Sequence, residues 1–209
     1  MRLNANLSLL DTRISKGSSL DASNPTIGNP DYVVVKNGSG INCIANTTGV
    51  AGVLANINAG RIPAAALLGL CNGAFAAQGV VVSAGLPTDL RGKQLPNAPK
   101  WSLNLGAQYT ARIGGDWEAT LRADYFRQGK SFSEIYNTAY DRLQGYQNVN
   151  ATLTFESKKL GLQFQAYVRN LTNENAAATT IQTNQLFGLY NALFLVDPRT
   201  YGLRVTKRF

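Results

Sequence analysis

Two cysteines and no histidine leave this 209-residue chain little with which to do chemistry. Histidine is the commonest general base near neutral pH and the commonest metal ligand, so its absence removes most hydrolase and metal-centre designs. Cys43 and Cys71 cannot complete a four-ligand zinc site without it. The sequence has no Gly-x-Ser-x-Gly elbow, no phosphate-cradling glycine loop and no carboxylate pair placed beyond chance. The chain therefore reads as a non-enzyme, with no cofactor and no metal site expected. What the cysteines can do is join. A bond between them would close a ring of about 29 residues and stabilise by roughly 3 to 4 kcal/mol in the chain-entropy model. Two separate buried thiols are the alternative, and an exported chain favours the bond.

Recognition chemistry is left to cations and aromatics. Twenty Lys and Arg against twelve Asp and Glu give a net charge of +8. Along the sequence they form no aromatic-interleaved basic run, so no nucleic-acid partner is expected. Many stand near predicted strand ends, where solvated ends and contacts with lipopolysaccharide phosphates are the two readings. Tyr136, Tyr140, Phe187 and Tyr190 lie in predicted loops and are candidates for ligand contact. Arg122 and Arg169 are further candidates; with Arg204 and Arg208 they share the polar strand face with Glu118, Asp124 and Glu156.

These side chains need elements to hold them, and the pattern is strands. Tyr201, Leu203, Val205 and Phe209 fall on one face of the last nine residues, against Gly202, Arg204, Thr206 and Arg208. A period of two is a strand signal, and an apolar face opposite a Thr/Gly/Arg face suits a wall between lipid and water. The same alternation recurs at Leu3 to Leu9, Trp101 to Ala111, Trp117 to Tyr125, Val149 to Phe155 and Leu160 to Val168. Gly114-Gly115-Asp116 and Ser157-Lys158-Lys159 are tight turns. No apolar run approaches the ~20 residues of a membrane helix, the longest being Ile62 to Cys71, so any crossing uses strands.

Residues 16–99 lack sustained alternation and read as one long loop. Val50, Val53, Leu54 and Ile57 follow helical spacing with Gly60 to end it, and Pro63 followed by Ala64 to Leu70 predicts a second short helix closed at Asn72-Gly73. Cys43 and Cys71 bracket most of this unit.

Two segments carry a family resemblance. Leu95-Pro96-Asn97-Ala98-Pro99-Lys100-Trp101 leads into an alternating strand, and Val168-Arg169-Asn170-Leu171-Thr172-Asn173-Glu174 ends another. Both resemble the C-terminal barrel region of TonB-dependent outer-membrane receptors. Lys207 and Ala176 to Ala178 depart from the pattern, standing where apolar or aromatic residues are usual. The closing Tyr201, Leu203, Val205 and Phe209 resemble the terminal signature read by the outer-membrane insertion machinery. The resemblance implies a receptor that takes up scarce large solutes such as iron–siderophore complexes, vitamin B12 or glycans. It also implies a plug domain through which TonB acts.

Trp101 and Tyr109, Trp117 and Tyr125, and Tyr201 and Phe209 are each eight positions apart on the apolar face. Eight residues rise roughly 26 Å along a strand, or about 20 Å along the normal after tilting, near the height of a barrel's lipid-facing band. Connections alternate long and short, at roughly 83, 4, 12, 3 and 25 residues, as in outer-membrane barrels with long outer loops and short periplasmic turns. Six strands cannot close a membrane barrel, whose smallest forms have ~8. The reading is thus all-β: an antiparallel transmembrane segment of about six strands at the end of a large up-and-down barrel. Residues 16–99 form an extracellular loop with short helices and residues 100–209 the last five strands. It is expected in the Gram-negative outer membrane with its C-terminus periplasmic, as a fragment without the upstream strands and plug. Its neighbours would be outer-membrane lipid and lipopolysaccharide. A passive porin and a soluble β-rich binding or adhesion module are the competing readings.

Overall fold

The computed structural model describes residues 1–36, 42–183 and 190–208. Six strands form one antiparallel sheet in sequence order. They are β1 (Arg2–Leu9), β2 (Trp101–Gly114), β3 (Trp117–Gln128), β4 (Gln147–Ser157), β5 (Leu162–Arg169) and β6 (Thr200–Lys207). The β2–β3 hairpin turns at Gly114 and Gly115, whose φ angles of 121° and 57° other residues rarely adopt. The β4–β5 turn ends at Gly161 with φ 61°, where its carbonyl accepts the Arg208 N–H at 2.7 Å.

Strand register decides which side chains share a face. Leu3 lies opposite Ala107, Ala107 opposite Ala123, Ala123 opposite Ala151, Ala151 opposite Val168 and Val168 opposite Tyr201. The next row is Tyr109, Leu121, Leu153, Ala166 and Leu203, and the one after it Ala111, Ala119, Phe155, Phe164 and Val205. With the Ala5, Leu105, Tyr125 and Val149 row, four rows are apolar throughout. Polar residues enter above, in the row containing Arg127 and Gln147, and below, in the row containing Ser157 and Lys207. The four apolar rows span about 20 Å of strand from Val149 to Phe155, and the polar rows that bound them at Gln147 and Ser157 are about 34 Å apart, or about 26 Å along a normal tilted by ~40°, so the apolar rows lie within the lipid-facing height of an outer-membrane barrel.

This apolar face is left uncovered. Leu3 is 70% exposed, Leu121 53%, and Leu203 83%. The opposite face is polar and laced by hydrogen bonds, described below. A one-residue slip anywhere would interchange the two faces of a strand, so the uniform parity is a strong constraint on register.

The wall, with residues 94–180 and both chain ends, forms one compact unit, and residues 13–93 with 181–192 form another. The second unit contains a packed core of Cys43, Ala45, Val53, Leu70, Phe75 and Val80. Tyr32–Lys36 pairs with Asn42–Asn46, which pairs in turn with Val82–Ser83, so this segment is not only loop and helix. Helix α1 (Thr47–Asn58) buries Val53 and packs Val50 and Ile57 against the core, whereas Leu54 is exposed at 43%. Leu54, expected on the packed stripe, therefore lies outside it. Ala64–Asn72 is a 3₁₀-helix, not an α-helix. Pro63 stays extended (ψ 140°) instead of entering the first turn, and i→i+3 bonds follow, from Ala66 N–H to Pro63 O and from Gly73 N–H to Leu70 O. Cys71 on this helix is bonded to Cys43 on the central strand, with Cα atoms 5.6 Å apart.

Candidate functional site

The polar face of the wall is the surface that could meet a solute. Arg122 lies midway along β3 and forms an ion pair with Asp124, its Nε donating to Oδ2 at 2.8 Å. Two residues apart on one strand, both side chains point to the same face. Register places Arg122 in a row with Thr152 and Tyr167. Arg169, two residues further along β5, stacks over the Tyr167 ring at 5.6 Å from Cζ to centroid. Arg122 and Arg169 are thus about 10 Å or more apart, two strand spacings away, and do not form one clamp. Each already has a partner, which fixes its head group for recognition and partly neutralises Arg122.

Neighbouring rows lock the face. Thr110 and Thr120 hydroxyls are 2.9 Å apart, and Gln165 Nε2 donates to Thr154 Oγ1 at 3.4 Å. Ion pairs Arg112–Glu118 and Arg208–Glu156, each at 3.8 Å and each joining an exposed arginine to a half-buried glutamate, close the lower end. Gly202 sits under the Tyr167 ring: a Cβ there would be 2.6 Å from the tyrosine hydroxyl oxygen. A side chain at this position would therefore force the tyrosine ring to move.

Two aromatics on this face were not singled out from the sequence. Phe126 falls in a row with Asn104 and Asn148, and its ring meets that of Tyr146 edge-on at 5.7 Å. Their signal was available: both are aromatic at polar-face parity near the long-connection end of the strands.

Above them, Ser131–Phe132 and Arg142–Leu143 pair as a short hairpin, so the loop predicted around Tyr136 and Tyr140 has its own ladder. Ser133 N–H donates to Asp141 O at 2.8 Å, and the Ser133 and Thr180 hydroxyls are 2.6 Å apart. Asn137, held at φ 49°, donates from Nδ2 to Gln94 O at 3.0 Å, while its Oδ1 accepts the Gln94 N–H. Tyr136 and Tyr140 ride on this braced hairpin, Tyr136 half-buried and Tyr140 exposed. Tyr190, in the other unit, is also exposed, and its carbonyl accepts the Thr183 N–H at 3.0 Å. Phe187 lies outside the described residues.

Asn170 anchors the connection after β5. Its side chain is 1% exposed; Nδ2 donates to Glu174 O and Asp197 O, each at 2.9 Å, and Oδ1 accepts the Glu174 N–H at 2.8 Å. Its own N–H donates to Asn150 Oδ1 at 3.0 Å. Sequence spacing marked this asparagine as part of a motif, and the structure supplies what it does. Tyr201, Leu203 and Val205 stand on the uncovered apolar face, and Phe209 lies outside the described residues. Among the described residues, no group of three or more Cys, Asp or Glu is placed to hold a metal.

An antiparallel sheet with one uncovered apolar face, one hydrogen-bonded polar face and an apolar band that fits within membrane height is a segment of a transmembrane β-barrel wall. Residues 1–171 match the family described as TonB dependent receptor-like, beta-barrel, and the chain belongs to that family. The family's setting is the Gram-negative outer membrane, it works with TonB, and its members are transporters, not enzymes. A sequence comparison with curated proteins finds no match. Among solved structures, the chain is similar to BauA, the ferric preacinetobactin receptor from Acinetobacter baumannii. That match has 25% identity over 56% of this chain and 16% of that one, with a TM-score of 0.45. It is similar also to the ferric yersiniabactin uptake receptor FyuA from Yersinia pestis, at 14% identity over 60% of this chain and 19% of that one, TM-score 0.49. The siderophore receptor PiuA from Acinetobacter baumannii is a third, at 17% identity over 60% and 18%, TM-score 0.44. The chain spans less than a fifth of the matched receptors' length.

Proposed function

We propose that residues 1–209 form the last six strands of a TonB-dependent receptor that takes up a scarce large solute, with the C-terminus periplasmic and the long connections extracellular. The observation that carries this reading is the pair of open edges on a membrane-height wall. Among the described residues, β1 and β6 each pair on one side only. In hydrocarbon an unpaired backbone group costs several kcal/mol, so both edges call for further strands. The plug through which TonB acts would come from the same missing part. Cys43–Cys71 would then staple an outer loop in an oxidising compartment. Tyr201, Leu203, Val205 and Phe209 would serve as the insertion signal, and the apolar rows would meet outer-membrane lipid.

Solute contact in this reading belongs to the polar-face group of Arg122, Asp124, Phe126, Tyr146, Tyr167 and Arg169, together with Tyr136, Tyr140, Phe187 and Tyr190 in the outer connections. Cations and aromatics suit an anionic or catechol-like chelate better than a neutral glycan, which makes ferric siderophores the first solutes to test. The experiment is growth on single ferric siderophores by a strain carrying the complete receptor as its only uptake route, with and without TonB. Growth that requires TonB and falls with Phe126→Ala and Arg169→Gln supports the reading. Growth independent of TonB would overturn it.

A further inference from the structure

The apolar face has a cationic notch at one edge. We propose that it binds one phosphorylated, acylated sugar of the outer leaflet, the headgroup chemistry of lipopolysaccharide. The inference rests on the orientation proposed above, which puts the long connections outside.

The notch is a cavity of about 620 Å³ within the wall unit, flanked by Lys100, Arg127, Lys130 and Arg142 and bordered by Trp101 and Gln144. No carboxylate lines it. Two glycines make the space. A Cβ on Gly129 would lie 2.8 Å from Trp101 Nε1, and one on Gly145 would lie 2.5 Å from the Gln128 carbonyl. Side chains are therefore excluded at two adjacent positions, while the indole lies across Gly129. Arg127 Cζ is 5.9 Å from the Trp101 ring centroid, so its planar fork is oriented and not merely tethered.

Position selects the ligand. Arg127 lies in the row of Leu7 and Leu103, on the face of the lipid-directed residues, and the row beneath it is Ala5, Leu105, Tyr125 and Val149. A free solute would have no reason to approach this side of the wall. An amphiphile would place its phosphate among the guanidinium and ammonium groups, stack its sugar beside the indole and lay its acyl chains down the apolar rows. Arginine binds phosphate through paired charge-assisted hydrogen bonds, and a cleft of this volume has room for one sugar phosphate. The four cations come from three separate connections and strands, which argues for a gathered site and not a chance run.

The test is native mass spectrometry of the complete receptor, folded in detergent with EDTA and titrated with bisphosphorylated hexa-acyl lipid A. Wild type is expected to retain one lipid A, with affinity at least tenfold above that of Arg127→Gln/Arg142→Gln. The lower-rim variant Lys158→Gln/Lys159→Gln is expected to match wild type. Equal retention by the Arg127/Arg142 variant would overturn the proposal, as would equal retention of dephosphorylated lipid A. Displacement of the lipid by millimolar inorganic phosphate would assign the notch to free phosphate and overturn the glycolipid reading. Folding of each variant is checked by its heat-modifiable migration; if the double variant fails to fold, the two single variants replace it. Lys130→Cys labelled on intact cells by an impermeant maleimide reads orientation separately. Its failure would refute the orientation, and with it the outer-leaflet assignment, even where lipid A binds in detergent.

Discussion

Replacing Asn170 should release the connection between β5 and β6 while leaving the wall in place. Its buried side chain makes three hydrogen bonds to main-chain groups of Glu174 and Asp197, all between 2.8 and 2.9 Å. At a net ~1 kcal/mol each, Asn170→Gly costs about 3 kcal/mol. Asn170→Ala costs about 1 kcal/mol more, because φ is 49° and a Cβ is disfavoured there. The loss falls on the connection, since the β5–β6 ladder from Leu162 to Arg169 remains paired. Arg199 reports it: its N–H donates to Asn173 Oδ1 at 3.2 Å, and Nη1 donates to Leu171 O at 3.5 Å. Limited trypsinolysis at Arg199 in the complete receptor follows the population of the opened connection when closing is fast. At 1.4 kcal/mol per tenfold, cleavage should accelerate roughly 150-fold in Asn170→Gly and more in Asn170→Ala. Acceleration below about fivefold in both would refute the clasp, and a faster Gly than Ala variant would refute the backbone argument.

Three other outcomes follow from the same structure. Cys43→Ala/Cys71→Ala should lower the stability of the second unit by about 3.5 kcal/mol in the chain-entropy model, measured by urea titration with hydrogen exchange on the Asn42–Asn46 strand. Leu121→Arg should destabilise the folded wall by about 2 to 4 kcal/mol and Thr120→Arg by much less, because only the first faces lipid near the middle of the band; urea refolding into vesicles compares them. Gly202→Val should force Tyr167 off its partner and cost about 1 to 3 kcal/mol, and Tyr167→Ser in the same chain should recover part of that loss.

The wall was legible residue by residue because its cause is local. Alternation with period two, read at Leu3 to Leu9 or Trp117 to Tyr125, already assigns each side chain to a face, and turn glycines at 114 and 115 limit where a strand can end. In the structure all five pairings bring apolar face against apolar face. The second unit was less legible. Its short strands, such as Tyr32–Lys36, carry too few residues for a period to stand out, and whether Leu54 packs or faces solvent depends on where α1 meets the sheet.

What the tertiary structure alone decided is which distant side chains meet. Lys100, Arg127, Lys130 and Arg142 form no run in the sequence, yet the pairing of β2 with β3 and of Ser131–Phe132 with Arg142–Leu143 gathers them in one cavity with Trp101. Phe126 and Tyr146 become a pair, and the Tyr167 ring lies over Gly202, its cross-strand neighbour. Parity is a property of a single strand and is written along it. Proximity across strands depends on hydrogen-bond register between segments far apart in sequence, where alternation rules out one-residue slips but leaves two-residue shifts to be settled by the folded pairing.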